Sequence, residues 1–251
     1  MDVDVFVRLG LVLARPGMLI AAAPVFGGHF VPPHVRIGLA MILSFILMPV
    51  VEVPAVATLA GLTIVVAREL AIGLALALGI RALIAGAELG GHLAGSQLML
   101  SYGSVIDPQG GVRNTLLATL YGNLTLLTFF LINGHHALVR ALGASYAAIP
   151  IGSGAIDASL ATSVMRLLGV VFTFGLRLAA PVIIVMLIVE IAAGLISKTA
   201  PAINLMVVGT PIRLIVGLLA VAAVIPLIPP ISSRFATLAT EIGIQAARAF
   251  R

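Results

Sequence analysis

The chain has no cysteine and no tryptophan, and charged side chains occupy only 9% of its 251 positions. Each scarcity removes a class of proteins. Without cysteine there is no disulfide framework, zinc–thiolate centre or iron–sulfur cluster. The 14 basic residues, 13 Arg and one Lys, are scattered singly, and aromatics are only 5%, so no basic, aromatic-laced patch exists for nucleic acid. A water-soluble domain carries about a quarter charged residues. This chain, 61% hydrophobic with mean hydropathy +1.23, has too few to cover a surface in water. Lipid or other protein must hide it. The amino end, Met1-Asp2-Val3-Asp4, is acidic where a signal peptide needs a basic flank, so the first apolar segment is expected to stay in the mature protein.

What is present is a series of apolar blocks, roughly 3–25, 36–51, 53–87, 89–106, 114–149, 164–197 and 203–231, then an amphipathic tail to Arg251. Such blocks predict an all-α, membrane-associated protein, since a spanning helix needs about 20 apolar residues. Only Asn114–Gly134 and Leu214–Ser233 approach that length without a charge, and Pro226, Pro229 and Pro230 require the second to bend or stop. Arg8, Arg15, Arg68, Glu69, Arg81, Glu88, Arg177, Glu190 and Arg213 interrupt the rest. A charge at the centre of a spanning helix costs about 2.5–3.5 kcal/mol on insertion scales. Their recurrence in both signs points to interior pairing or a polar cavity, with snorkelling at helix ends as the plainer alternative. Turn residues mark breaks at Gly27–Pro33, Asp107–Gly111, Ile149–Gly154 and Lys198–Pro201, and Asn133-Gly134 looks like a helix interruption. Gly73, Gly79, Gly86, Gly90, Gly91 and Gly95 offer sites of close helix approach.

Chemical motifs are missing. There is no GxxxxGK[ST] loop, no GxGxxG after a strand and no HExxH. The histidines at 29, 34, 92, 135 and 136 accompany no serine-centred motif, and adjacent His135 and His136 diverge on a helix. The chain is therefore expected to be no enzyme and to hold no metal or cofactor. The unusual segment is Gly95-Ser96-Gln97-Leu98-Met99-Leu100-Ser101-Tyr102-Gly103-Ser104-Val105-Ile106-Asp107-Pro108, which is apolar yet rich in Gly and Ser. It reads either as a re-entrant loop lining a wet cavity or as a helix end running into a surface turn.

Several markers in this order carry a resemblance. They are Arg15-Pro16, Pro24-Val25-Phe26, Val31-Pro32-Pro33-His34-Val35-Arg36-Ile37-Gly38-Leu39, Glu69 with Gly73, and the segment from Gln97 to Pro108. Asn133-Gly134-His135, Ile149-Pro150-Ile151-Gly152, Leu178-Ala179-Ala180-Pro181 and Ala200-Pro201-Ala202-Ile203-Asn204 follow. Over roughly residues 5–240 the chain resembles the flagellar biosynthesis protein FliR family, shared with the T subunit of virulence type III export gates.

The resemblance implies a bundle of long, kinked helices and helical hairpins that assembles into a multi-subunit helical export gate. Residues 1–160 would be a P-subunit-like region including a plug loop at 101–108, and residues 161–251 a Q-subunit-like hairpin region turning at 198–204, in one integrated domain. The implied plug is Ser101, Tyr102, Gly103, Ser104, Val105, Ile106, Asp107 and Pro108, with Gln97 and Met99 beside the pore. Relatives often carry bulky Phe in this loop, and an acidic residue where His92 falls. Arg15, Glu69, Glu88, Arg177, Glu190 and Arg213 would face neighbouring subunits or a wet pore. The implied partners are P-type and Q-type export-gate subunits, the B-type switch protein, unfolded secreted substrates in transit and the membrane, without nucleic acid. The implied location is the bacterial inner membrane, within the flagellar basal body. Two other readings stand beside this one. The first is a secondary transporter for a small solute, using Arg81, Glu88, Arg177 and Glu190 as binding or relay residues. The second is a purely structural virulence-injectisome export subunit.

Overall fold

The computed structural model describes residues 3–27, 31–54, 58–98, 116–153, 157–199 and 205–250. Among these every regular element is helical: α1 Val3–Ala22, α2 Pro24–Gly27, α3 Pro33–Leu47, α4 Leu59–Gln97, α5 Leu116–Leu131, α6 Gly134–Ala148, α7 Ser159–Thr199, α8 Leu205–Val224 and α9 Ile228–Arg248. The all-α expectation holds. One boundary differs: the blocks predicted on either side of Glu88 form the single 39-residue helix α4. A lone glutamate does not break a helix, because its side chain leaves the backbone hydrogen bonds intact and has good helix propensity.

The other boundaries follow from local chemistry. Pro33 opens α3 and Pro229-Pro230 sit in the first turn of α9, where a missing N–H costs nothing. Between α8 and α9 the chain stays helical through a 3₁₀ stretch at Ile225–Leu227, and Gly209–Arg248 counts as one candidate span. Asn133 adopts a left-handed conformation (φ 57°, ψ 30°) and bends α5 against α6 by 67°. Gly134 follows because a Cβ there would lie 2.5 Å from the Phe129 ring. At the start of α7 the Ser159 backbone N–H donates to the Asp157 carboxylate. The Ser159 side chain and the Ser159 and Ala158 backbone N–H groups hold that carboxyl below its ordinary pKa.

Four helices are long and apolar enough to cross a membrane among the described residues, or five if α5 and α6 count as one bent span. The helices α4 and α7, of 39 and 41 residues, are each about 60 Å long. That is about twice the hydrocarbon core of a bilayer.

The chain forms two compact units. The first comprises Met1–Ala82, Phe129–Gly169 and Ala236–Arg251, and the second Leu83–Thr128 and Val170–Phe235. Chain segments interleave, so the units do not coincide with the halves 1–160 and 161–251. Helices α4, α5, α7 and α9 each contribute to both. The core of the first unit includes Leu11, Leu19, Ile20, Ile72, Ile80, Leu138 and Leu142, all essentially without solvent contact. That of the second includes Leu83, Tyr121, Phe174, Leu178, Val182 and Met186.

In the second unit α4 and α7 touch backbone to backbone. A Cβ on Gly90 would lie 2.9 Å from the Gly175 carbonyl oxygen, and one on Gly175 would lie 2.8 Å from that of Gly86. Only glycine permits this approach, which is how apolar helices gain contact where burial from water supplies little drive. Replacing Gly90 with Val is expected to destabilise the protein, reconstituted in lipid vesicles, by about 1–3 kcal/mol through overpacking. Gly169→Ala, on α7 with nothing within 4 Å, should instead be neutral or stabilising by up to about 1 kcal/mol. Thermal unfolding followed by circular dichroism measures both, and equal effects would contradict the α4–α7 contact.

Candidate functional site

Polar groups are so few in this chain that their placement defines the candidate sites. The densest cluster lies in the first unit and begins with a proline. Pro16 inside α1 has no N–H for the carbonyl of Val12, one turn earlier. The Tyr146 hydroxyl, from α6, donates to that carbonyl at 2.9 Å. The face of the same ring carries the Arg15 guanidinium, 4.3 Å from its centroid, in a cation–π contact.

Arg15 itself is completely buried, as is Glu69 on α4. Its Nε donates to one Glu69 carboxylate oxygen and its Nη2 to the other at 3.2 Å. Nη2 also donates to the Ile149 carbonyl at 2.6 Å, and Nη1 to the Ser145 hydroxyl at 3.1 Å. The guanidinium thus joins α1 to α4, to the last turn of α6 and to the turn after it. Gly152 in that turn (φ 78°) lies beside the Glu69 carboxylate. The helices α1 and α4 meet closely here, since a Cβ on Gly73 would lie 2.5 Å from the Arg15 carbonyl oxygen.

Arg15 and Glu69 were expected to face neighbouring subunits or a wet pore. In the structure each finds its counter-charge inside the chain, and neither side chain is exposed. The pairing could not be read from sequence, since 54 residues separate the two.

The other flagged charges lie in the second unit. Glu88 is half-buried on α4, with its side chain against Gly122 of α5. Glu190 of α7 and Arg213 of α8 form a 3.0 Å ion pair that stays partly exposed. Arg177 is exposed on α7, with its guanidinium 5.3 Å from the Phe235 ring centroid. Gln97 is half-buried in the last turn of α4. Met99 and the segment that the resemblance implies as a plug, Ser101, Tyr102, Gly103, Ser104, Val105, Ile106, Asp107 and Pro108, lie outside the described residues.

Sequence reasoning missed three features. Tyr146 was not singled out, although a proline in α1 was the signal that a side chain must satisfy a freed carbonyl. The second unit holds a buried hydroxyl pair, Thr125 with Ser232 at 3.3 Å. One turn before Thr125 on α5, the Tyr121 hydroxyl is buried with no hydrogen-bond partner among the described residues. No group of three or more His, Asp or Glu among the described residues is placed to hold a metal ion.

Comparison with known proteins places the chain in a family. The family described as bacterial export proteins, family 1, matches residues 6–238. The flagellar biosynthetic protein FliR of Escherichia coli K12 is 31% identical over 219 residues, covering 87% of this chain and 84% of that protein. The FliR of Pectobacterium carotovorum is 30% identical over 214 residues, covering 84% and 82%. The Bacillus subtilis FliR is 28% identical over 218 residues, covering 85% and 84%.

The Pro16–Val12–Tyr146 arrangement makes a quantitative prediction. Tyr146→Phe leaves the Val12 carbonyl unpaired and should destabilise the protein by about 1–3 kcal/mol. In a Pro16→Ala background residue 16 regains an N–H for that carbonyl, and the cost of Tyr146→Phe should fall by about 1 kcal/mol. A double-mutant cycle read by chemical unfolding tests this, and strict additivity would refute the coupling.

Proposed function

The chain belongs to the bacterial export proteins of family 1, and from that membership we infer that it is a structural and gating subunit of the flagellar type III protein export gate. It is a membrane protein of the export apparatus and works alongside other subunits of it. Its reading as a gate is passive: it contributes helices to a protein-conducting pore and catalyses nothing. Its location under this reading is the bacterial inner membrane, within the flagellar basal body. Its partners are the P-type and Q-type gate subunits and the B-type switch protein, with unfolded substrates passing through.

The observation that carries this reading is the uncovered apolar face of α7. Only 17% of its most apolar stretch is buried by the chain itself, against 67% for α4. Large apolar side chains stay exposed from Met165 to Ile196, among them Phe172, Ile184, Leu187 and Ile191. That stretch is about 47 Å long. A hydrocarbon core of about 30 Å would hide all of it in a straight helix only at a tilt of about 50°. Membrane helices tilt by about 0–40°. Exposed Arg177 and Glu190 also fall within it, where lipid alone is a poor cover. Other protein subunits supply the rest of the cover in this reading. A small-solute transporter, folded as a self-sufficient unit, has no use for so large an uncovered face.

Under the same reading the segment Ser101–Pro108, flanked by Gln97 and Met99, plugs the pore, and Arg177, Glu190 and Arg213 lie at subunit contacts. Glu88, like them, faces a neighbouring subunit or a wet pore under this reading.

Two measurements test the reading. Co-expressed with P-type and Q-type subunits, the tagged chain should co-purify with both and remain dispersed in detergent, whereas alone it should aggregate. A monodisperse chain that ignores both partners would overturn the subunit assignment. Deleting Ser101–Ile106 should raise the small-ion conductance of membranes containing the assembled gate by tenfold or more. Unchanged conductance would remove the plug role while leaving membership of the assembly intact.

A further inference from the structure

The buried pair of Arg15 and Glu69 raises a question of biogenesis that is independent of any gating role. Arg15 lies in the middle of α1, the first candidate span, Val5–Ala22. The same helix carries Arg8, whose Nη2 donates to the Val51 carbonyl at 3.2 Å. Alone, α1 is therefore a poor membrane helix, since an unpaired arginine at the centre of a span disfavours insertion on the order of a hundredfold. Its counter-charge is made 54 residues later, on α4. Glu69 has the complementary difficulty. It stands between Arg68 and the apolar stretch Leu70–Ile80 of α4, and its side chain is fully buried and paired with Arg15 of α1.

We propose that the Arg15–Glu69 pair obliges α1 and α4 to enter the membrane-embedded fold together, in one register, so that α1 is seated only once α4 has supplied its carboxylate. Three observations support the coupling. Four of the five guanidinium N–H donors are met from two places in the sequence, Glu69 on α4 and the segment holding Ser145 and Ile149, and the Tyr146 ring of that segment covers the group. A shift of α1 by one turn along α4 breaks all of these contacts at once. The glycine at position 73, one turn after Glu69, lets the α1 backbone approach only at this register. Elsewhere α1 and α4 present Leu, Ile, Val and Ala, which pack acceptably in many registers, so the buried pair is the feature that distinguishes one register from the others.

The test uses the full-length protein, whose lack of cysteine allows a single reporter, Ala22→Cys, at a buried position of α1. Labelling by a membrane-impermeant maleimide, and retention in carbonate-washed membranes, are measured in four charge backgrounds. With the native pair the reporter should be protected and the chain retained. Glu69→Leu and Arg15→Leu, each leaving one buried charge alone, should increase labelling tenfold or more and reduce retention. The double variant Arg15→Leu/Glu69→Leu removes both charges and should return labelling to within about threefold of the native pair. The reversal Arg15→Glu/Glu69→Arg should fall between. The proposal is overturned if Glu69→Leu behaves like the native protein, because the pair is then not required. It is equally overturned if the double variant is as defective as the single ones, because hydrogen-bond geometry and not charge balance is then what seats α1. Neither result bears on the gate assignment, which rests on partner co-purification.

Discussion

A guanidinium cannot be buried in an apolar chain unless its charge and its donors are met, and the first unit is arranged around meeting them. A single orphaned charge in such an interior costs about 3–5 kcal/mol, more than a typical apolar contact returns. Arg15 satisfies the requirement with a bidentate carboxylate, a hydroxyl, a carbonyl and an aromatic face. The carboxylate comes from α4 and the other three from the end of α6 and the turn after it, so meeting the requirement fixes α1, α4, α6 and the 149–152 turn relative to one another. Apolar packing alone would leave more than one solution.

The second unit holds together by other means. Its charges sit at its surface or half-buried, and its interior contacts are close backbone approaches at Gly86, Gly90 and Gly175, the stacked rings of Phe174 and Phe235, and the Thr125–Ser232 hydroxyl pair. Small residues let helices meet over short distances, and one hydroxyl pair adds direction. The contrast has a physical reason. Close glycine contacts need no desolvation of charge and so gain stability without an ionic anchor, but they discriminate register only through shape. A charged cluster discriminates strongly and stabilises little on balance. The two units thus solve the same problem, ordering apolar helices, with opposite tools.

How much of this was legible in the sequence depends on the range of the interaction. The all-helical class, the bend at Asn133 and the break before Pro33 are set by residues within a turn of one another and were visible, whereas the bend or stop expected at Pro226–Pro230 is only a 3₁₀ stretch in a continuing helix. The continuity of α4 through Glu88 was not, because hydropathy alone treats a charge as a boundary when the helix backbone does not. The order of motifs revealed the family, which no single segment carried. The fate of individual charges was least legible. Arg15 and Arg177 look alike in sequence, each an isolated arginine in an apolar helix next to or near a proline. One is the centre of a buried cluster and the other an exposed side chain over Phe235, a difference created wholly by distant segments.

That difference has consequences for whatever covers α7. Glu190 and Arg213 neutralise each other at equivalent distances from the ends of their helices, eight or nine residues from Thr199 and Leu205. In water so exposed a pair contributes at most about 1 kcal/mol. Out of water it matters more, because a paired carboxylate and guanidinium can be covered where single ones cannot. Arg177 has no such counter-charge among the described residues: its interaction there is with the face of an aromatic ring. A ring stabilises a cation without neutralising it. The exposed surface of α7 therefore carries one charge already balanced, Glu190, and two arginines without a counter-charge among the described residues, Arg166 and Arg177, among apolar side chains too extended for a bilayer to hide. A cover that is apolar and also polar at these places fits that surface, and a folded protein surface, which can present both, fits it better than lipid.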